Sequence, residues 1–261
     1  MASQDESKTT FADDEDISKL TTYLTDMFPF QCVKDAILDA IRFAEKCYIA
    51  DESKKLIDDA KGQLAFSLTV AMTVVDVFKW KCYHSIISAI FHDVLCHCKN
   101  EEKEIRSKEL FSLFGRHGQS VALKMLEWAP YKKQDGTVHM GFPKIRRTSK
   151  AMLFVLMAKE YVKLDSMCEY GQFMETQETI QSHAVYVCML AQEIYPLLPP
   201  VYKQSWGPGF HLIHPAFESL FQKTCLAETE PGEFSEFTVL PTEVSCMQVF
   251  NENKRNVEVM E

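Results

Sequence analysis

Residues 83–98 read YHSIISAIFHDVLCHC and residues 64–79 read LAFSLTVAMTVVDVFK, and both segments are apolar almost all the way round a helical wheel. Helices with this pattern lie inside a bundle and not on its surface. The β-branched run AMTVVDVF at 71–78 is also typical of a strand. No turn residue interrupts it, so we favour a helix, and the two segments together predict a helical core.

Amphipathic helices are predicted around this core. In 31–49 one apolar face recurs at helical spacing, formed by Val33, Ile37, Ala40, Ile41 and Ala44. Further helices are predicted at 106–128, with a break at Gly115, and at 144–164 and 175–198, and 131–144 is predicted to be a loop. We therefore predict an all-α fold, a compact multi-helix bundle over 18–226. A disordered acidic tail over 1–17 and a C-terminal tail or small addition over 227–261 flank it.

Composition limits the class of protein. The chain has 261 residues, of which 46% are hydrophobic and 25% charged, which is ordinary for a globular protein. The net charge of −9 disfavours a nucleic-acid partner, because phosphate backbones attract basic faces. No apolar stretch of about 18 residues predicts a membrane span. The N-terminus lacks the features of a secretory signal, and nine scattered cysteines suit reduced thiols, so we expect a cytoplasmic protein.

The polar doublet His92–Asp93 stands at the end of the apolar segment 83–98. A buried helix does not carry a histidine and an aspartate without partners for them. Adjacent residues of a helix point about 100° apart. Both side chains could therefore bind one metal ion only if other helices supplied the remaining ligands.

The order of segments around the doublet resembles a known family. It runs FAEK (43–46), an apolar helix, SAIFHDV (88–94), FGRHGQSVALKMLEW (114–128), VKLDSM (162–167) and SHAVYVCMLAQEIYPLL (182–198). This order resembles the HD-domain phosphohydrolases of the RelA/SpoT type, and most of all their short, stand-alone metazoan SpoT-homologue branch. The resemblance covers about residues 33–205 and rests on order, spacing and apolar pattern more than on identity.

The resemblance implies an all-α enzyme that uses a divalent metal, typically manganese, to remove the 3′-linked phosphate group of a nucleotide such as ppGpp or NADPH. His92 and Asp93 match the metal-binding doublet of the family. The later aspartate ligand falls on Asp165 when VKL is aligned, and on Ala158 when AMLFVLMAKEY is aligned; both registers remain open. Lys46 matches a basic residue that would contact phosphate.

Two positions depart from the family pattern. Its first histidine ligand falls on Phe66, and its water-activating Glu-Asp pair falls on Cys96–His97, where His97 is a candidate substitute catalytic base. A catalytic ion needs enough ligands and an open position for water, and without the carboxylates no group of the family pattern accepts the proton of that water.

Three hypotheses follow from the match and its departures. The first is a degenerate HD-domain protein with weak or no hydrolysis, which retains a nucleotide-binding or protein-interaction role. The second is an active metal-dependent 3′-phosphohydrolase with altered ligands. The third is an unrelated helical module that binds a protein partner.

One basic segment stands out in this acidic chain. Its members are Lys132, Lys133, Lys144, Arg146, Arg147 and Lys150. The segment is either a solvated loop or a site for an anionic ligand or partner. Within it, Thr148 and Ser149 follow two arginines, a pattern typical of a kinase acceptor.

Overall fold

The computed structural model of the chain describes residues 11, 14–50, 57–128, 131–132, 138–139, 149–174, 183, 187, 190 and 194. This part is predominantly helical, as the sequence predicted. Its elements are α1 (Glu15–Asp26), α2 (Gln31–Ile49), α3 (Ile57–Asp76), α4 (Tyr83–Ile90), the 3₁₀ helix Val94–His97, α5 (Asn100–Trp128), β1 (Tyr131–Lys132), β2 (Val138–His139) and α6 (Lys150–Met174).

Helix α1 begins earlier than the predicted end of the acidic tail. The Asp14 carboxylate caps it by accepting hydrogen bonds from the backbone N–H groups of Asp16 and Ile17. Glu15 and Asp16 in the first turn complement the positive end of the helix dipole. Ile17 is buried, so the prediction of disorder is wrong for residues 14–17. Residues 1–10, 12 and 13, like the predicted tail over 227–261, lie outside the described residues.

The predicted helical core is confirmed. Helix α2 has the predicted bounds and buries the predicted face through Ile37, Ala40, Ile41 and Ala44. Segment 64–79 lies in α3 up to Asp76, so the strand alternative for 71–78 is excluded. Helix α3 packs against α1, α2 and α4, which accounts for its apolar residues on more than one side.

The segment 83–98 is not one helix. Helix α4 ends at Ile90, residues 91–93 form a turn, and a 3₁₀ helix follows. An aromatic trio surrounds the turn: the Phe91 ring lies 4.7 Å from that of Phe114 and 5.7 Å from that of Phe43, centre to centre. A Cβ on Gly118 would lie 3.3 Å from the Phe91 ring, so this close packing favours glycine there. The apolar pattern of 83–98 predicted one continuous helix. It carries no information on Phe43 and Phe114, the distant residues that contact Phe91 in the turn.

The predicted break at Gly115 is confirmed. Within α5 this residue has φ 70° and ψ −171°, a conformation that strongly favours glycine. The predicted loop 131–144 contains the two-residue strands β1 and β2, which pair antiparallel. Helix α6 begins six residues later and ends ten residues later than the predicted helix 144–164.

The chain divides into two compact units, Met1–Val162 and Lys163–Glu261. This division differs from the single domain predicted over 18–226, because α6 runs through the boundary and offers no composition break. In the second unit, His183, Val187, Leu190 and Ile194 are helical and buried at the i, i+4, i+7 and i+11 spacing of one helix face. This agrees with the helix predicted at 175–198. None of the helices in the described part of the chain is long and apolar enough to cross a membrane.

Candidate functional site: a buried histidine–aspartate doublet

His92 is fully buried in the turn after α4. Its Nδ1 lies 2.6 Å from the backbone oxygen of Ala89. A carbonyl oxygen only accepts, so Nδ1 carries a proton and donates it, and Nε2 is the nitrogen that faces Asp93. Histidines that bind metals in proteins are oriented in the same way, with the second ring nitrogen bonded to a backbone carbonyl or a carboxylate.

The two side chains of the doublet face each other. Nε2 of His92 lies 3.3 Å from Oδ2 of Asp93. This is within ion-pair distance but lacks the directional geometry of a hydrogen bond, and no other described residue bonds to Nε2. Because both residues lie in a turn, the estimate of side-chain directions from a continuous helix is wrong. The turn brings together the two side chains that a helix would have separated.

A lysine occupies the other side of the Asp93 carboxylate. The Lys159 ammonium on α6 donates to Oδ1 of Asp93 at 2.8 Å. The side chains are 13% and 23% exposed, so water screens this pair weakly. Burial raises the pKa of the Asp93 carboxyl, but His92 and Lys159 outweigh burial and hold that pKa well below its usual range. Burial lowers the pKa of Lys159, but Asp93 and then Glu160 outweigh it, and the net pKa is raised.

Phe66 lies beside the doublet. Its ring centre is 5.7 Å from that of His92, and the two ring planes are tilted by 49°. A benzene ring offers a metal ion no lone pair. Phe66 therefore contributes an apolar contact to His92 and no metal ligand.

Cys96 and His97 lie in the 3₁₀ helix that follows the doublet. Burial, and then the neighbouring Asp93 carboxylate, raises the pKa of the Cys96 thiol to about 12, so it is protonated at neutral pH. The His97 ring lies 5.5 Å from the ring of Tyr48, nearly perpendicular to it. A catalytic role for His97 stays a prediction.

Tyr48 and Ser67 complete the polar centre. Both are fully buried, and their hydroxyl oxygens are 2.8 Å apart. Burial, and then the Asp93 carboxylate, raises the pKa of Tyr48 well above its usual range. The sequence contains a signal for this contact. Tyr48 continues the apolar face of α2 at helical spacing, and a tyrosine buried in a core requires a partner for its hydroxyl.

The other two predicted site residues, Lys46 and Asp165, lie on helices α2 and α6. Lys46 is exposed on the last turn of α2, and among the described residues no hydrogen bond or ion pair joins it to the doublet. Asp165 lies on α6, six residues beyond Lys159 and within the second unit. The α6 side chain in contact with Asp93 is Lys159. The choice between Ala158 and Asp165 as the position of the last ligand stays a prediction.

The residues beside the doublet do not fit a divalent metal ion. Across the described part of the chain, no three His, Cys, Asp or Glu side chains form a group that could hold one. The doublet offers His92 and Asp93, while Phe66 offers no donor, and the Lys159 ammonium repels a second cation. Comparisons with protein-family models, with curated proteins and with solved structures find no match to this chain.

Proposed function

We propose that this chain is a degenerate HD-domain protein that does not hydrolyse phosphate esters. It acts instead by binding a nucleotide or a protein partner. One observation carries the proposal: the Lys159 ammonium lies 2.8 Å from the carboxylate of the doublet. An ammonium there supplies the positive charge that a metal ion would supply in an active member of the family. It cannot lower the pKa of a bound water as a metal ion does.

Burial of the doublet supports the same proposal. His92 is fully buried, and aromatic or apolar rings pack against the turn that carries it. A phosphate ester must reach its catalytic groups within hydrogen-bond distance. A nucleotide or protein partner would therefore bind elsewhere on the chain, and Lys46 and the basic segment of 132–150 are the candidate anion contacts.

The orientation of His92 supports an origin in a metal site. Its Nδ1–H bond to Ala89 leaves Nε2 directed at the neighbouring carboxylate, which is how a ligand histidine is held. This feature favours the degenerate HD-domain hypothesis over the unrelated helical module.

The test is a phosphohydrolase assay with ppGpp and with NADPH, each in the presence of Mn²⁺, on the full-length parent and on Asp93→Ala. We expect no turnover above background in either protein. Equilibrium dialysis of ppGpp and NADPH against the same proteins then tests the binding role. We expect any binding by the parent to persist in Asp93→Ala, because the doublet is not the binding surface.

Turnover by the parent that is abolished in Asp93→Ala would contradict the proposal and establish the active phosphohydrolase with altered ligands. Absence of both turnover and nucleotide binding would remove the nucleotide-binding role and favour a protein partner.

A further inference from the structure

Ser149 is an exposed hydroxyl that follows two arginines. The sequence Arg146-Arg147-Thr148-Ser149 places guanidinium groups three and two residues before it. Protein kinases discriminate substrates by charge patterns of this kind, because carboxylates in the kinase cleft pair with guanidinium groups of the substrate. None of the other exposed serines in the described part of the chain has a basic residue at both of these positions. These serines are Ser18, Ser112, Ser120 and Ser166.

The position of Ser149 makes its hydroxyl available. It directly precedes α6, where its Oγ accepts from the backbone N–H of Met152 at 3.4 Å and its carbonyl accepts from that of Leu153 at 3.1 Å. The first distance is longer than the roughly 2.7–3.2 Å of a good N–H···O bond. The hydroxyl is thus held weakly in the N-cap position and is exposed to solvent.

We propose that Ser149 is a phosphorylation site for a serine/threonine kinase that prefers basic substrates. In the reaction the Ser149 oxygen attacks the γ-phosphorus of Mg²⁺-bound ATP. A new Oγ–P bond forms, the bond from the γ-phosphorus to the β,γ-bridging oxygen breaks, ADP leaves, and the hydroxyl proton is released. The proposal does not depend on the proposed function.

The modification would act on the start of α6. A phosphate group there carries about −1.5 to −2 charges at neutral pH, and negative charge at a helix N-terminus is favourable. Helix α6 contributes the buried run Met152–Ala158 and positions Lys159. Phosphorylation therefore stabilises the first turn of the helix that holds the cation beside Asp93.

The experiment uses the full-length protein, the catalytic subunit of cAMP-dependent protein kinase, and Mg²⁺-ATP, with sites located by mass spectrometry. The decisive variant is Ser149→Asn, because asparagine caps a helix as well as serine does but cannot be phosphorylated. We expect phosphate on Ser149 of the parent and of Thr148→Val, and none at residue 149 of Ser149→Asn. The double variant Arg146→Gln, Arg147→Gln should react at least about tenfold more slowly, the loss expected for one charge-assisted pair.

Ser112→Asn is the matched control, an exposed serine outside the arginine pattern, and it should be phosphorylated like the parent. Circular dichroism should show equal helix content in all variants. Absence of phosphate on Ser149 of the folded parent, or an unchanged rate in the double arginine variant, would overturn the proposal. Phosphorylation should also slow amide hydrogen exchange at Met152 and Leu153, and unchanged exchange would overturn the proposed effect on α6.

Discussion

Lys159 on α6 and Asp93 in the turn after α4 form an ion pair of 2.8 Å across 66 residues of sequence. The carboxylate also faces His92 at 3.3 Å. Asp93 is therefore a buried acid whose charge is balanced by protein groups. The same balance explains why the doublet is compatible with a folded core without a metal ion.

Lys159→Met should destabilise the protein by about 3 kcal/mol, the lower end of the range for breaking a buried ion pair, because both side chains keep some exposure. Urea denaturation of parent and variant measures the difference. Lys150→Met, the exposed control, should change the free energy of unfolding by less than about 0.5 kcal/mol. In Asp93→Asn, Lys159→Met the loss should be smaller than the sum of the single losses; additive losses would show that the two residues are not coupled.

The contribution of this pair should depend on pH in a defined window. The Asp93 pKa is lowered on folding, so its share is present above the unfolded value of about 3.9 and is lost as pH falls through the folded value. The Lys159 pKa is raised, so its share is present below about 10.4 and is lost as pH rises through the folded value. The stability difference between parent and Lys159→Met should be greatest between these limits. A difference that is constant with pH would contradict the ion-pair assignment.

Tyr48→Phe should destabilise the protein by about 1–2 kcal/mol, because it removes the hydroxyl that bonds to the fully buried Ser67. The double variant Tyr48→Phe, Ser67→Ala should recover part of this loss, since no buried hydroxyl is then left at the contact. Thermal unfolding monitored by circular dichroism provides the measurement. If the double variant is no more stable than Tyr48→Phe, the hydroxyl contact is not the cause.

Gly115 and Gly62 form a matched pair for backbone conformation, because a Cβ at either position would meet no atom within 4 Å. Gly115 has φ 70° and ψ −171°, so Gly115→Ala should cost about 1–3 kcal/mol of stability through backbone strain alone. Gly62 lies inside α3, where Gly62→Ala should stabilise by about 0.5–1 kcal/mol. Equal effects of the two substitutions in urea denaturation would show that α5 is not broken at Gly115.

The sequence predicted the parts of the fold that depend on local pattern. The bounds of α2, the break at Gly115 and the helical state of 71–76 follow from periodicity and from glycine. Phe66, the position where the family resemblance implies a histidine, lies beside His92. The turn at 91–93 places Phe91 against Phe114, a contact between residues distant in sequence that no local pattern contains. Lys159 directly follows the apolar run 151–158. The sequence pattern therefore marks Lys159 as the polar residue at the end of that run but does not indicate its partner. Its partner lies 66 residues away.

Calorimetric titration of the full-length protein with Mn²⁺ at neutral pH tests the central claim most directly, namely that Lys159 and not a metal ion balances the charge of Asp93. We predict no stoichiometric Mn²⁺ site in the parent, because Phe66 offers no ligand and Lys159 occupies one side of the carboxylate. A tight one-to-one site that disappears in His92→Ala would contradict this claim. It would favour the hypothesis of an active metal-dependent phosphohydrolase with altered ligands.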